Sequence, residues 1–358
     1  MALTQVKGLG SEGAKNLIVA LGSAEKIFKT PAKELLGFFR MGPKTVAALK
    51  NFKDFSRVEK ELDFIVKNKV KAISFTDDEY PYRLKELSNA PSVVYYKGSI
   101  ALNAPRMIGI VGTRRITDYG KSIVEKLMAD LASYDVVTVS GLAFGVDVAV
   151  HKHSIKNQIP TIGVMANGLD EVYPRAHSQL AKEMLLQGGL LTETMSETKL
   201  LKEFFPRRNR LVAGMVDALI VVESAAKGGS LITANIAQSF SRDVFAFPGR
   251  VGDDRSAGCN ALIKSQKAAM IESAADLAWN MGWPAPENQS KLNERTSQLS
   301  GIEKRIYSYL KSQTEQRAHI DALCDALLLS QSELSLLLLT MEFSGFVKNL
   351  PGNSYKAV

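Results

Sequence analysis

The sequence predicts a doubly wound α/β fold built on a mostly parallel sheet, and three observations carry that prediction. Apolar, strand-like runs recur between Met107 and Gly249. Several end in small Gly-containing turns: Gly112-Thr113-Arg114-Arg115, Ser140-Gly141 with Gly145-Val146-Asp147, and Gly228-Gly229-Ser230. Each turn is followed by a segment of amphipathic helical spacing. Strand, turn and helix in repetition give right-handed crossovers, helices on both faces of the sheet, and turns gathered at the carboxyl ends of the strands. Ligands bind along that edge. Exposed backbone N–H groups at helix starts favour phosphate there, and glycine lets the backbone come close.

In chain order, residues 1–60 predict a small helical module. "VKGLGSEGAKNLIVALG" and "FFRMGPKTVAALKNF" each pair a Gly turn (Gly8-Leu9-Gly10, then Met41-Gly42) with a helix carrying Ala and an aliphatic stripe. The repeat resembles the SAM-like helix-hairpin-helix, whose turn presents backbone N–H groups to a DNA phosphate. It fits equally a helical packing domain whose glycines cap helices, although Lys15 and Lys44 lean toward DNA. Residues 51–70 predict one amphipathic helix with Phe55, Val58, Leu62, Ile65 and Val66 on its inner stripe.

The core is expected over 61–283. Strands at Ala72 to Phe75 and Val93 to Tyr96, around a helix starting near Pro81, lead into the sheet. Further strands are predicted at Met107 to Val111, Val136 to Ser140, Pro160 to Met165, Leu190 to Glu193, Ala218 to Val222 and Val244 to Phe247. The Pro-, Asn- and Ser-rich stretch 284–299 reads as a linker. Three helices and a hairpin turning at Asn349 to Asn353 follow, a winged-helix pattern over 300–358. Its third helix, "SQSELSLLLLTMEFSG", carries Glu333 and Glu342 but no Arg or Lys, which favours a protein-interaction or regulatory role over base reading.

Composition narrows the function classes. The 358 residues suit two or three domains, and 46% apolar residues suffice for a buried core. Lys plus Arg at 45 against Asp plus Glu at 37 gives +8, which suggests an anionic partner without identifying it. Cys259 and Cys324 are too few and too far apart for a disulfide framework or a Cys-rich zinc site. The N-terminus lacks an apolar signal core, and the longest apolar run, around Leu336 to Leu339, is too short to span a bilayer. A soluble cytoplasmic protein with no membrane partner is the expectation.

Some motifs carry no chemistry. Gly120-Lys121-Ser122 ends like a phosphate-binding loop, but Arg115 stands where the leading Gly belongs and the tripeptide falls inside a predicted helix. Neither Gly112 to Gly120 nor Gly141 to Gly145 has dinucleotide-fingerprint spacing. His151 and His153, two apart on a helix, face different ways and lack a third ligand, so no metal is expected. Asp147 fits a base, a ribose contact or the partner of a buried donor.

The segment Lys202 to Arg210, "KEFFPRRNR", is the most informative. It interleaves four cations with Phe204 and Phe205 and places a helix start at Pro206 on the ligand edge. Cations for phosphates and a flat face for bases, beside Gly-rich turns, suit single-stranded nucleic acid.

"IVGTRRITDYG", "VSGLAFGVDVAVH", "GLDEVYP", "FFPRRNRLVAG", "VVESAAKGGSLITA", "RDVFAFPG" and "GCNALI", in this order, resemble the DNA-processing protein A family (DprA, also called Smf) over roughly Tyr80 to Ile271. The flanking helical module and winged helix also occur in some members. The resemblance implies an extended Rossmann fold that binds single-stranded DNA without cutting it, using no cofactor. It further implies loading of RecA recombinase, displacement of single-strand-binding protein, and support of natural transformation. Carried over residue by residue, Arg114 matches the phosphate-contacting Arg, and Lys202 and Phe205 match the basic contact and the base-stacking aromatic. Gly112, Thr113, Ser140, Gly141, Arg208, Asn209 and Arg210 are implied to line the same pocket. Thr117 stands where Ser is usual and His177 where Asn is common, both away from the implied contacts.

The resemblance also implies a two-fold dimer contact at Asn260 to Ala269, with Leu262 and Ile263 presented beside Asn260, although Gln266 and Ala269 depart from the usual Gly and Leu. A competing class shares this Rossmann variant: hydrolases of the N-glycosidic bond of nucleoside monophosphates. Glu223 near Gly228-Gly229-Ser230 resembles their acidic site, but no acid follows the glycines at the spacing those enzymes use.

Overall fold

Each apolar run of the core from Val93 onward finds strand neighbours on both sides, and that pairing positions the site. The computed structural model describes residues 1–38, 41–284, 299–313, 317–350 and 353–357. It divides into two units, Met1–Met281 and Gly282–Val358.

In the first unit the strands are β1 (Lys71–Ser74), β2 (Val93–Gly98), β3 (Met107–Val111), β4 (Val137–Ser140), β5 (Thr161–Val164), β6 (Gly189–Thr192), β7 (Ala218–Val221), β8 (Asp243–Ala246) and β9 (Ala269–Met270). They form a nine-stranded sheet in the order β1-β2-β6-β5-β4-β3-β7-β8-β9. The stretch from β6 to β9 is parallel throughout. β2 pairs antiparallel with β6, and β1 antiparallel with β2. Strands β3 to β7 are buried at every position, so they need apolar residues on both faces, as the Val-, Ile- and Leu-rich runs supply. Sheet order reverses at β3. From β3 the chain moves outward through β4, β5 and β6, then returns to place β7 on the other side, and the crevice at such a switch point takes the ligand.

The helices of this unit used below are α1 (Gly10–Leu21), α2 (Ser56–Asn68), α3 (Asp118–Leu131), α4 (Val146–Lys156), α5 (Phe204–Gly214), α6 (Gly229–Ser239) and α7 (Ala257–Lys264). Thr117 caps α3, its hydroxyl accepting the Gly120 N–H at 3.2 Å. Gly120, Lys121 and Ser122 lie within this helix, as their spacing predicts. An ion pair between buried Arg83 and half-buried Asp217 ties the segment before β2 to the start of β7. Arg83, 2% exposed, donates to both carboxylate oxygens of Asp217 at 2.6 and 2.8 Å, and Asp217 also accepts the Met107 N–H.

One reading of the N-terminal region needs correction. Helix α2 buries only part of the predicted stripe: Val58 is buried and Ile65 half-buried, but Leu62 and Val66 are 46% and 79% exposed, and Glu61 is buried in their place. Periodicity assigns apolar residues inward, but Glu61 has partners there. Its carboxylate accepts the Ser196 N–H at 2.9 Å and the Ser196 hydroxyl at 2.6 Å and pairs with Arg57. Lys15, whose charge leans the module toward DNA in the sequence, is engaged within the protein. Its Nζ donates to the Leu87 carbonyl at 2.7 Å and joins the helical module to the core.

The second unit holds helices Gly301–Ser312, Ile320–Leu327 and Gln331–Phe343 around a single apolar core. Strands Val347–Leu350 and Ser354–Ala357 pair antiparallel, and Arg317–His319 adds a third strand that the sequence reading omitted. All but the ends of the predicted linker at 284–299, and part of the predicted hairpin turn, lie outside the described residues. Among the described residues no single helix is long and apolar enough to cross a membrane.

Candidate nucleic-acid interface

At the switch point the turns after β3, β4 and β7 meet the first turn of α5. Together they line a cavity of about 280 Å3. A second cavity of about 140 Å3 adjoins it, and Arg114, Ala143, Phe205 and Arg208 line both.

Three backbone hydrogen bonds shape the turn after β3. The Thr113 N–H donates to the Glu223 carbonyl at 2.8 Å, the Thr113 carbonyl accepts the Val146 N–H at 3.1 Å, and the Val222 N–H donates to the Val111 carbonyl at 3.0 Å. Arg114 therefore sits on a loop fixed to the chain just after β7 and to the first residue of α4. Its guanidinium lies 5.5 Å from the Phe205 ring centroid, within cation–π range. Tyr173 packs beside the same ring at 5.9 Å.

Arg208 is buried one turn along α5, its Nη1 donating to the Val164 carbonyl at 2.5 Å. Its Nε has no partner among the described residues. Burial lowers its pKa and Asp147 opposes that shift, while burial raises the pKa of Asp147 and Arg208 opposes it. Gly141 separates the two groups. A Cβ at this position would collide with Arg208 Nη1 and Asp147 Oδ2, so the close packing requires glycine. Asp147 accepts the half-buried Ala143 N–H at 3.2 Å.

Of the residues the sequence singles out, Gly112, Thr113, Arg114, Gly141, Phe205, Arg208 and Asn209 line the first cavity. Three others do not. Ser140 is fully buried behind the cavity, its hydroxyl donating to the Ile110 carbonyl at 2.6 Å and its side chain also bonded to Asp147. Arg210 is ion-paired with Glu193 and donates to the Asn89 carbonyl at 2.7 Å. Two residues on from Arg208, it lies about 200° around the helix and faces away from the groove. Lys202 is exposed in the turn before α5, with its carbonyl accepting the Phe205 N–H at 3.3 Å. Helix α5 begins at Phe204 rather than at Pro206. Proline within a first turn sacrifices no helical hydrogen bond.

Sequence reasoning passed over Phe144, Tyr173 and Asn167, which line the second cavity. Phe144 and Tyr173 are each 51% exposed. Their signal was an aromatic within a Gly turn and a Tyr-Pro pair after a strand.

His151 is structural. Buried on α4, it bonds the Thr161 hydroxyl at 2.7 Å and the Gly141 carbonyl at 2.6 Å, and burial lowers its pKa to about 4. His153 is half-buried, its Nδ1 buried with no partner among the described residues. Among the described residues no group of three or more His, Cys, Asp or Glu could hold a metal ion. Glu223 lines neither cavity.

The dimer segment departs from its predicted presentation. Leu262 is 6% exposed and belongs to the chain's own core, with Ile263 packed against that core. Helix α7 turns this side inward to cover the sheet. Asn260 accepts the Gly249 N–H at 3.1 Å and donates to the Gly249 carbonyl at 3.0 Å. Ala269 is exposed on β9, which ends the sheet.

Residues 71–282 match the family model for DNA recombination-mediator protein A, and residues 285–353 match the model for the DprA winged helix domain. The DNA processing protein DprA of Bacillus subtilis (strain 168) is 43% identical over 209 residues, 58% of this chain and 70% of that protein. Protein Smf of Synechocystis is 33% identical over 290 residues, 79% of this chain and 72% of that protein. The X-ray structure of DprA from Streptococcus pneumoniae superposes with a TM-score of 0.66 at 31% identity, covering 77% of this chain and 94% of that one. A Helicobacter pylori structure described for its single-stranded DNA binding mode gives a TM-score of 0.54 at 28% identity, covering 60% and 95%.

Proposed function

Since the chain belongs to the DNA recombination-mediator protein A (DprA/Smf) family, we propose that its switch-point groove binds single-stranded DNA and that the protein loads RecA recombinase onto such strands in the cytosol. Loading would displace single-strand-binding protein and support natural transformation. The observation that carries this reading is the shared lining of both cavities by Arg114, Phe205 and Arg208. Cationic groups draw in the phosphates, and an aromatic plane takes an unstacked base. Duplex bases are already stacked and cannot reach the ring. Lys202, exposed just before Phe205, adds charge at the rim.

The proposed action is non-enzymatic. The acid a nucleotide hydrolase would need, Glu223, is bonded to the Thr117 N–H and lies outside both cavities. Turnover of nucleoside monophosphates to free base, abolished by Glu223→Gln, would refute this.

We further propose a homodimer through the segment from Asn260 to Ala269. The outer edge of β9, next to exposed Ala269 and the half-exposed Met270, can meet its two-fold mate.

A strand-exchange assay with RecA and excess single-strand-binding protein tests the loading role. The protein should restore exchange that single-strand-binding protein blocks, and Arg114→Ala should not. No stimulation by the wild-type protein sinks the loading role.

A further inference from the structure

Glu223 holds both ends of the turn that carries Arg114. It follows β7, and its main-chain carbonyl accepts the Thr113 N–H at 2.8 Å. Its side-chain Oε2 accepts the Thr117 N–H at 2.9 Å. Thr117 in turn caps α3. Arg114 stands between the two anchored residues, on the loop that aims it at Phe205.

The carboxylate is 2% exposed, and its Oε1 has no partner among the described residues. A buried carboxylate with one oxygen unused is costly to retain. Its return is the fixed turn: a loop already ordered loses less conformational freedom when a phosphate arrives. Gly120 makes room for this arrangement. A Cβ there would lie 2.7 Å from Glu223 Oε2 and 2.8 Å from Ile116 Cγ1.

We propose that Glu223 is a positioning residue, which preorganises Arg114 for a nucleic-acid phosphate by tying Thr113 and Thr117 to the end of β7. The inference rests on the single-stranded DNA reading of the groove.

The test is fluorescence anisotropy of the full-length chain with a labelled oligothymidylate at several salt concentrations. Arg114→Ala should weaken binding about tenfold. Glu223→Ala should lose about three- to tenfold and lower the salt slope by up to about 0.7, the amount for one phosphate contact on a single strand. The double variant should bind within about twofold of Arg114→Ala alone, because both changes remove one contact. Glu223→Gln, whose amide oxygen still accepts the Thr117 N–H, should recover all but about twofold. Gly120→Ala, which in an ordinary helix would be stabilising, should weaken binding by crowding the carboxylate while circular dichroism stays native. Additive losses in the double variant, wild-type binding by Gly120→Ala, or a Glu223→Gln defect equal to that of Glu223→Ala would each overturn the positioning role. Should Arg114→Ala itself bind like wild type, the DNA reading of the groove has failed instead.

Discussion

The guanidinium of Arg114 lies 5.5 Å from the centroid of the Phe205 ring, although Arg114 sits on the turn after β3 and Phe205 in the first turn of α5. A phosphate contact and a base platform are thereby set side by side, and the two should separate in binding experiments.

Phe205→Ala should weaken oligothymidylate binding by roughly five- to a hundred-fold, since base stacking contributes about 1 to 3 kcal/mol per base, and should leave the salt slope nearly unchanged. Arg114→Ala should lower that slope by about 0.7. Anisotropy titrations across a salt series measure both. A Phe205→Ala protein that is folded and binds like wild type, or duplex that competes as well as single strand, would remove the groove from consideration.

Gly141→Ala should destabilise the core, because its methyl must displace Arg208 or Asp147, both buried. Overpacking of this kind costs about 1–3 kcal/mol. In a domain of this size each kcal/mol lowers the thermal midpoint by about 2–4 °C. Calorimetry showing an unchanged midpoint would contradict the packing around Arg208.

His151 should make the fold acid-sensitive. Burial, with a smaller push from Arg208 against the bond to the Gly141 carbonyl, lowers its pKa from 6.5 to about 4. The unfolded chain takes up this proton below about pH 6.5, whereas the folded chain resists it until about pH 4. The stabilisation is therefore complete above pH 6.5 and is lost as pH falls through that window, to the extent of about 3 kcal/mol. Urea midpoints at pH 7 and pH 4.5 should differ more for the wild type than for His151→Gln. Parallel losses in the two proteins would assign the acid sensitivity to other groups.

Assembly should depend on the sheet's last strand. Ala269→Glu places a charge on exposed β9 without touching the core, unlike a change at Leu262 or Ile263. Sedimentation at low micromolar concentration should show a monomer. A persisting dimer would place the interface elsewhere.

Much of this architecture is legible in the sequence. The apolar runs ending near Val111, Ser140 and Val221 are long enough, and flanked by enough glycine, to specify parallel strands and the edge on which their turns collect. Local chemistry is sufficient for that, because backbone pairing and burial act on contiguous residues. The amphipathic reading of α2 holds at Val58 and Ile65 but misplaces Glu61, for a long-range reason. Glu61 is inside because Ser196, 135 positions away, supplies its donors.

The membership of the groove was likewise settled by tertiary structure. Ser140, Arg208 and Arg210 all read as polar groups at the ligand edge, yet only Arg208 lines the cavity. Ser140 bonds Ile110 on the neighbouring strand, and Arg210 is held by Glu193 on the far side of α5. Helical periodicity states that Arg208 and Arg210 diverge. It does not state which of them meets the turn after β3, because that depends on β7 returning to pair with β3 rather than with the outer strands, and so on contacts between residues about a hundred positions apart.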